Sequence, residues 1–243
     1  MLGKGYKGGD MRALSGARLV FVGALILGSV GCTKLDELKG MKAYKAGNVA
    51  YQSQDYKTAA EQYEAAVAAS PDLQNGEPYF FLGNSYDNMY KPSRKGEPDN
   101  DALLTDAVKN YEIAAQKLSA APTEQDKKLG NLALQYLVAA YGADKLNDPA
   151  KAEPVVQKMI MLDPADPTNY FALGKIYEDA AVYDEAERIY LMAKDAKPAD
   201  SAVYLQLAGF YNRQGEFGKT IEALEQRAKA ELDALRPSRR RQT

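Results

Sequence analysis

Between Pro167 and Pro198 large apolar residues return every three or four positions, and polar residues fill the gaps. Tyr170, Leu173 and Tyr177 fall on one face of a first helix, with Gly174 beside them. Ala186, Tyr190 and Ala193 fall on one face of a second helix. Glycine and alanine mark the points where the two helices approach too closely for a larger side chain. Pro198 lies 34 residues after Pro164 and ends the second helix.

The pattern returns along the chain. Gly47, Asp55-Tyr56, Ala59, Tyr63, Ala66 and Pro71 form a first copy. Tyr79, Leu82, Gly83, Tyr86, Ala107, Tyr111 and Ala114 form a second, with 12 residues more than the usual spacing. Leu134, Leu137, Tyr141, Ala152 and Pro164 form a third, in which Pro154 sits awkwardly near the start of the second helix. Tyr204, Leu207, Ala208 and Tyr211 open a fifth, whose second helix has Thr220 and Arg227 where alanines belong. Weak end copies suit caps that face water on one side. The spacing predicts ten antiparallel helices and one domain, with a polar loop over the insertion near 90–101 (YKPSRKGEPDND).

The aromatic-x2-Leu-Gly-x2-Tyr, Ala-x3-aromatic and closing Pro spacing resembles the tetratricopeptide repeat (TPR). The resemblance implies an all-α fold, a right-handed solenoid of about five helix-turn-helix repeats over 40–232. The copies span about 40–73, 76–121, 131–166, 167–200 and 201–232. Such solenoids bind a peptide or helix of a partner protein along a concave groove lined by the first helix of each pair.

Ahead of the repeats, Leu19 to Val30 is an apolar run of 12 residues after Arg12 and Arg18. A membrane span needs about 20 apolar residues, whereas the core of a secretory signal needs roughly 7–15. Residues 1–31 are therefore expected to be a leader, with Met11 a possible true start. The run ends in Ser29, Val30, Gly31 and the single cysteine, Cys32. This resembles the lipobox of bacterial lipoproteins, although Ser29 stands where an aliphatic residue is usual. It implies lipidation of Cys32, a short linker over 32–39 and a periplasm-facing protein anchored in the cell envelope. Thr33, rather than Asp, after the cysteine points to the outer membrane. An uncleaved leader in the inner membrane is the alternative.

The 243 residues contain no histidine and no tryptophan. This removes His-based acid/base catalysis and His metal sites, and one cysteine removes Cys-cluster zinc sites. No enzyme activity, cofactor, metal or small-molecule substrate is expected. The formal net charge is −2. The leader carries Lys4, Lys7, Arg12 and Arg18 against Asp10, which leaves the remainder at −5. Without Arg236, Arg239, Arg240 and Arg241 the body over 32–235 stands at −9. An acidic body argues against nucleic-acid binding. The end from 233 to 243 reads as a basic, solvated tail.

Candidate groove residues are those off the core face of each first helix, at i, i+4, i+7 and i+8. They are Tyr44, Asn48, Tyr51 and Gln52, then Phe80, Asn84, Asp87 and Asn88, and in the third copy the small set Gln135, Ala139, Gly142 and Ala143. The fourth copy gives Phe171, Lys175, Glu178 and Asp179, and the fifth Leu205, Gly209, Asn212 and Arg213. Asparagines can both donate to and accept from a peptide backbone. The aromatics either face a ligand or pack between repeats. Tyr44 and Phe80 stand where some TPR domains carry lysines for a C-terminal carboxylate, so that clamp is not expected. Asp87, Glu178 and Asp179 favour a neutral or basic peptide. A second possibility is a structural protein that stacks on copies of itself through its end repeats.

Overall fold

The computed structural model describes residues 16–235, with side chains from Thr33 onward. Residues 1–15, the Cys32 side chain and the tail from Arg236 lie outside the described residues, and with them the possible start at Met11, the lipidation of Cys32 and the basic tail. The described chain is ten α-helices with no strand. They are α1 (Gly16–Gln52), α2 (Tyr56–Ala69), α3 (Glu77–Met89), α4 (Pro98–Ser119) and α5 (Glu124–Tyr141). Then follow α6 (Pro149–Leu162), α7 (Pro167–Asp179), α8 (Tyr183–Ala196), α9 (Ser201–Arg213) and α10 (Phe217–Leu235). Each helix packs mainly on its neighbours in the chain, and α3 also touches α1 and α5. That is the contact pattern of five stacked hairpins, α1/α2 through α9/α10, a TPR-type solenoid. No described helix is long and apolar enough to cross a membrane.

Short polar turns start most helices. Asp55 accepts from the Thr58 backbone N–H, Asp148 from Lys151, Asp166 from Thr168 and Asp200 from Ala202. Pro149 and Pro167 follow two of these caps, where a missing N–H costs nothing. Pro154 lies inside α6 and withholds a backbone bond from the Ala150 carbonyl. Both residues are exposed, so water can take that bond.

The helices of a pair approach through their small residues. A Cβ on Gly47 would lie 2.7 Å from the Tyr63 ring, one on Gly83 3.0 Å from that of Tyr111, and one on Gly174 2.9 Å from that of Tyr190. Each glycine is thus a seat for the aromatic ring of the second helix.

The insertion is only partly a loop. Residues 90–97 form an irregular connection with one 3-10 turn, Pro92–Arg94, and α4 already begins at Pro98. The reason is local: buried Asn100 accepts from the Lys91 N–H at 2.9 Å and donates to its carbonyl at 3.1 Å. This pair ties the loop to a lengthened α4 of 22 residues, against 14 in α2 and α8.

Candidate peptide groove

The candidate residues lie on α1, α3, α5, α7 and α9, the first helix of each pair. The structure sorts them into three groups. Tyr44, Phe80 and Asn84 are buried. They correct the expectation of a ligand-facing wall, because each fills the space between adjacent helices. The Tyr44 ring packs 6.0 Å from that of Tyr63, and Phe80 lies 5.8 Å from Tyr136 on α5. Half-buried Phe171 packs against Tyr190, with 6.4 Å between ring centroids.

Asn84 is the centre of a polar network. Its amide oxygen accepts from the Tyr51 hydroxyl at 2.6 Å and from Asn88 at 2.7 Å. Its amide nitrogen donates to the Tyr111 hydroxyl at 3.2 Å. Asn48 accepts from the Tyr63 hydroxyl at 2.8 Å. The asparagine side chains that a peptide could have used are thus engaged by tyrosines of the fold. Replacing Asn84 would strip partners from two hydroxyls, so its loss reports on stability as well as on binding.

The acidic candidates are also engaged. The Asp87 side chain is 8% exposed and takes an ion pair from Lys145, in the α5–α6 connection. Asp179 pairs with Lys175 one turn earlier. Arg213 on α9 grips Glu178 on α7 with both ends of its guanidinium, Nε to Oε1 at 2.6 Å and Nη2 to Oε2 at 2.9 Å. The Tyr190 hydroxyl adds a third donor to Glu178 at 3.0 Å. The carboxylates therefore present much less free negative charge than their number implies, which weakens the preference for a basic ligand.

The Arg213 contact holds the Glu178 carboxyl below its ordinary value of 4.5, with Tyr190 helping and burial opposing. A lowered folded pKa means this contribution is present above the ordinary carboxylate range and is lost as pH falls through the folded value. Glu178→Gln should therefore flatten the acid limb of the stability-versus-pH curve while costing stability at neutral pH. Thermal melts from neutral pH into acid check this, and an unchanged limb would rule out the link.

Four residue pairs that the spacing did not single out join successive repeats. A tyrosine three residues after the glycine-type position of one first helix donates to a glutamate on the preceding second helix. Tyr86 does so to Glu64, Tyr141 to Glu112 at 3.0 Å, Tyr177 to Glu153 at 2.7 Å and Tyr211 to Glu187 at 2.9 Å. Burial first, and then the carboxylate, push the Tyr141 and Tyr211 hydroxyls up to about 12, so both remain donors at neutral pH. The recurring tyrosine is visible in the sequence. Its partner is not, because the glutamate occupies two different positions on the second helix.

An open cleft lies at the third and fourth repeats. A cleft of about 270 Å³ runs between the end of α5, the start of α6 and the middle of α7. Val138, Gly142, Ala143, Ala172 and Ile176 line it, together with the Lys175–Asp179 pair. Gly142, Ala143, Lys175 and Asp179 are candidate groove positions; Val138, Ala172 and Ile176 escaped notice because they also share the core stripe of their helices. Gln52, Asn88, Gln135, Ala139, Asn212 and Arg213 are exposed along the same series of helices. Among the described residues no cluster of His, Cys, Asp and Glu could hold a metal ion.

No family profile and no curated protein matches the chain. Solved structures do. The crystal structure of MamA protein superposes with a TM-score of 0.57 at 18% identity, over 79% of this chain and 92% of that one. MamA 41-end from Desulfovibrio magneticus RS-1 gives 0.52 at 17% identity, over 82% and 98%. YrrB, described as a TPR protein with an unusual peptide-binding site, gives only 0.48 at 16% identity, over 79% and 86%. Identities this low speak to the fold alone, and the fold is a TPR-type solenoid.

Proposed function

We propose that this chain is a membrane-anchored scaffold whose groove holds a peptide or helix of a partner protein, in assembly or secretion at the cell envelope. The observation that carries the groove reading is the cleft between α5, α6 and α7. It is concave and mostly apolar, it coincides with Gly142 and Ala143 of the third copy, and the charged groups in its lining are already paired with each other. Such a site suits an apolar side chain of a segment laid along the first helices, with Gln52 and Asn212 available to its backbone. The reading includes no catalytic step. The anchor rests on Cys32 and the apolar run before it, which imply a lipid-anchored, periplasm-facing protein, most simply at the outer membrane.

The test is cross-linking in the native cells followed by pull-down and mass spectrometry. Ala143→Trp fills the cleft from an exposed position. It is expected to abolish capture of the partner while leaving the melting transition unchanged. Capture at the unaltered level would overturn the groove reading. Cys32→Ser is expected to release the protein from the membrane fraction and lower capture of envelope proteins, and retention in that fraction would overturn the lipid anchor.

A further inference from the structure

The last described helix, α10, is dressed for a neighbour. On α10, Phe217, Ile221, Leu224, Leu232 and Leu235 are 65, 59, 42, 61 and 78% exposed. With Ala228 they follow intervals of four and three residues, one continuous stripe on a helix about 28 Å long. The stripe lies away from the core, which α10 meets through buried Ala223.

Its position in the repeat explains what it fits. Leu224 occupies the place of Tyr63, Tyr111 and Tyr190, and Glu225 that of Glu64 and Glu112. In the inner repeats these places receive the first helix of the next repeat. Tyr63 stacks on Phe81 at 5.9 Å, Tyr190 packs on Phe210 at 5.1 Å, and Glu64 and Glu112 accept from Tyr86 and Tyr141. The α10 surface is the one that inner repeats bury against a following repeat, and among the described residues no helix covers it.

At the other end, α1 shows the complementary face. Leu35, Leu38 and Val49 are 54, 68 and 69% exposed, and Lys42 lies between them, also exposed. Lys42 and Val49 occupy the places of Val203 and Phe210 on α9, which are buried. These are the positions through which a first helix meets the preceding repeat.

We infer that α1 of a second copy docks on α10, so that the solenoid continues head to tail from one chain into the next. Successive helices in this fold run antiparallel. The register that places Tyr190 beside Phe210 at the α8–α9 junction brings Leu224 opposite Val49 of the second copy. It also brings Glu231 opposite Lys42 and Leu235 opposite Leu38. Apolar residues meet apolar ones at both ends of the contact, and between them Lys42 meets Glu231, whose carboxylate also takes Arg227 of its own helix at 3.0 Å. Other occupants fit less well. The eight residues after Leu235 (RPSRRRQT) hold no large apolar side chain to fill the stripe. Two α10 helices packed on each other would leave the α1 face unused. A heterologous contact of this kind does not close on itself and generates a series of oligomers. It is independent of the groove.

The experiment follows the mass of the purified full chain by analytical ultracentrifugation from nanomolar to high micromolar concentration. The unaltered chain is expected to give an open series of masses that grows with concentration. Leu38→Asp with Val49→Asp blocks the α1 face, and Leu224→Asp with Leu235→Asp blocks the α10 face. Each blocked chain is expected to be monomeric alone, and the two mixed should form a 1:1 dimer that stops growing. Lys42→Glu and Glu231→Lys should each raise the concentration needed for assembly by about tenfold, and both together in one chain should restore it. Association driven by the apolar leader would be indifferent to these charge changes and would therefore count against the proposal. An unaltered chain that stays monomeric, or a single-face variant that still dimerises alone, would overturn it. All six positions are exposed, so helical circular dichroism should be unchanged in every variant.

Discussion

Tyr111→Ala is expected to remove about 3–5 kcal/mol of stability, the largest loss from any single substitution considered for this chain. Tyr111 has no exposed surface. Its ring stacks on Tyr136 at 5.3 Å, packs on Phe80 at 6.0 Å and sits against Gly83, so truncation opens a cavity bounded by three helices. Its hydroxyl is also the acceptor for Asn84. Tyr111→Phe keeps the ring and should cost only about 1 kcal/mol, the net worth of a buried hydrogen bond. A solenoid is stabilised between nearest neighbours. Damage at α4 should therefore uncouple the α1–α3 end from the α5–α10 end. Denaturant unfolding is expected to split into two steps, and hydrogen exchange should accelerate first in α3, α4 and α5. A single transition with less than about 1 kcal/mol lost would show that the ring is not the structural centre of its repeat.

Gly174→Leu should destabilise the fourth repeat by about 1–3 kcal/mol, through overpacking rather than through a cavity. Even a Cβ there would stand 2.9 Å from the Tyr190 ring. That ring is not free to yield. Its hydroxyl is bound to Glu178, and its other side packs on Phe210 of the next repeat. Leu207 and Ala223 share the same cluster, so displacement of Tyr190 would be felt in α9 and α10. Gly218→Ala provides the contrast, because a Cβ at that glycine meets nothing within 4 Å. The pair of urea midpoints should therefore separate, with a clear loss at residue 174 and none at residue 218. Similar losses at both positions would trace the effect to glycine replacement itself and not to the close approach of α7 and α8.

Much of the fold could be read because its contacts are local. Gly174 and Tyr190 lie in one repeat, and a helix hairpin is fixed by apolar spacing, an Asp cap and a small residue at the crossing. The structure sets Gly47 against Tyr63 and Gly83 against Tyr111 in the same way. The groove was less legible. A helix position off the core stripe can face either a ligand or the next repeat, and the curvature of the stack decides which. Asn84 shows the difficulty: from spacing alone it resembles the half-buried Asn48, yet it is fully enclosed as the partner of Tyr51 and Tyr111. Asp87 and Glu178 look like ligand-facing charge until Lys145 and Arg213, distant in sequence, come to meet them.

The amino-acid sequence by itself determined the repeat, the number of helices, their order and the small residues where the two helices of a pair approach. Those features depend on residues close along the chain and on helical periodicity. Tertiary structure decided which of the off-core residues remain exposed and which carboxylates keep free charge. It also decided that the open cleft lies between α5, α6 and α7, and that α10 presents an uncovered apolar stripe. These depend on how one repeat is laid on the next, and a junction between repeats is formed by side chains from two or three helices whose distances no spacing rule contains.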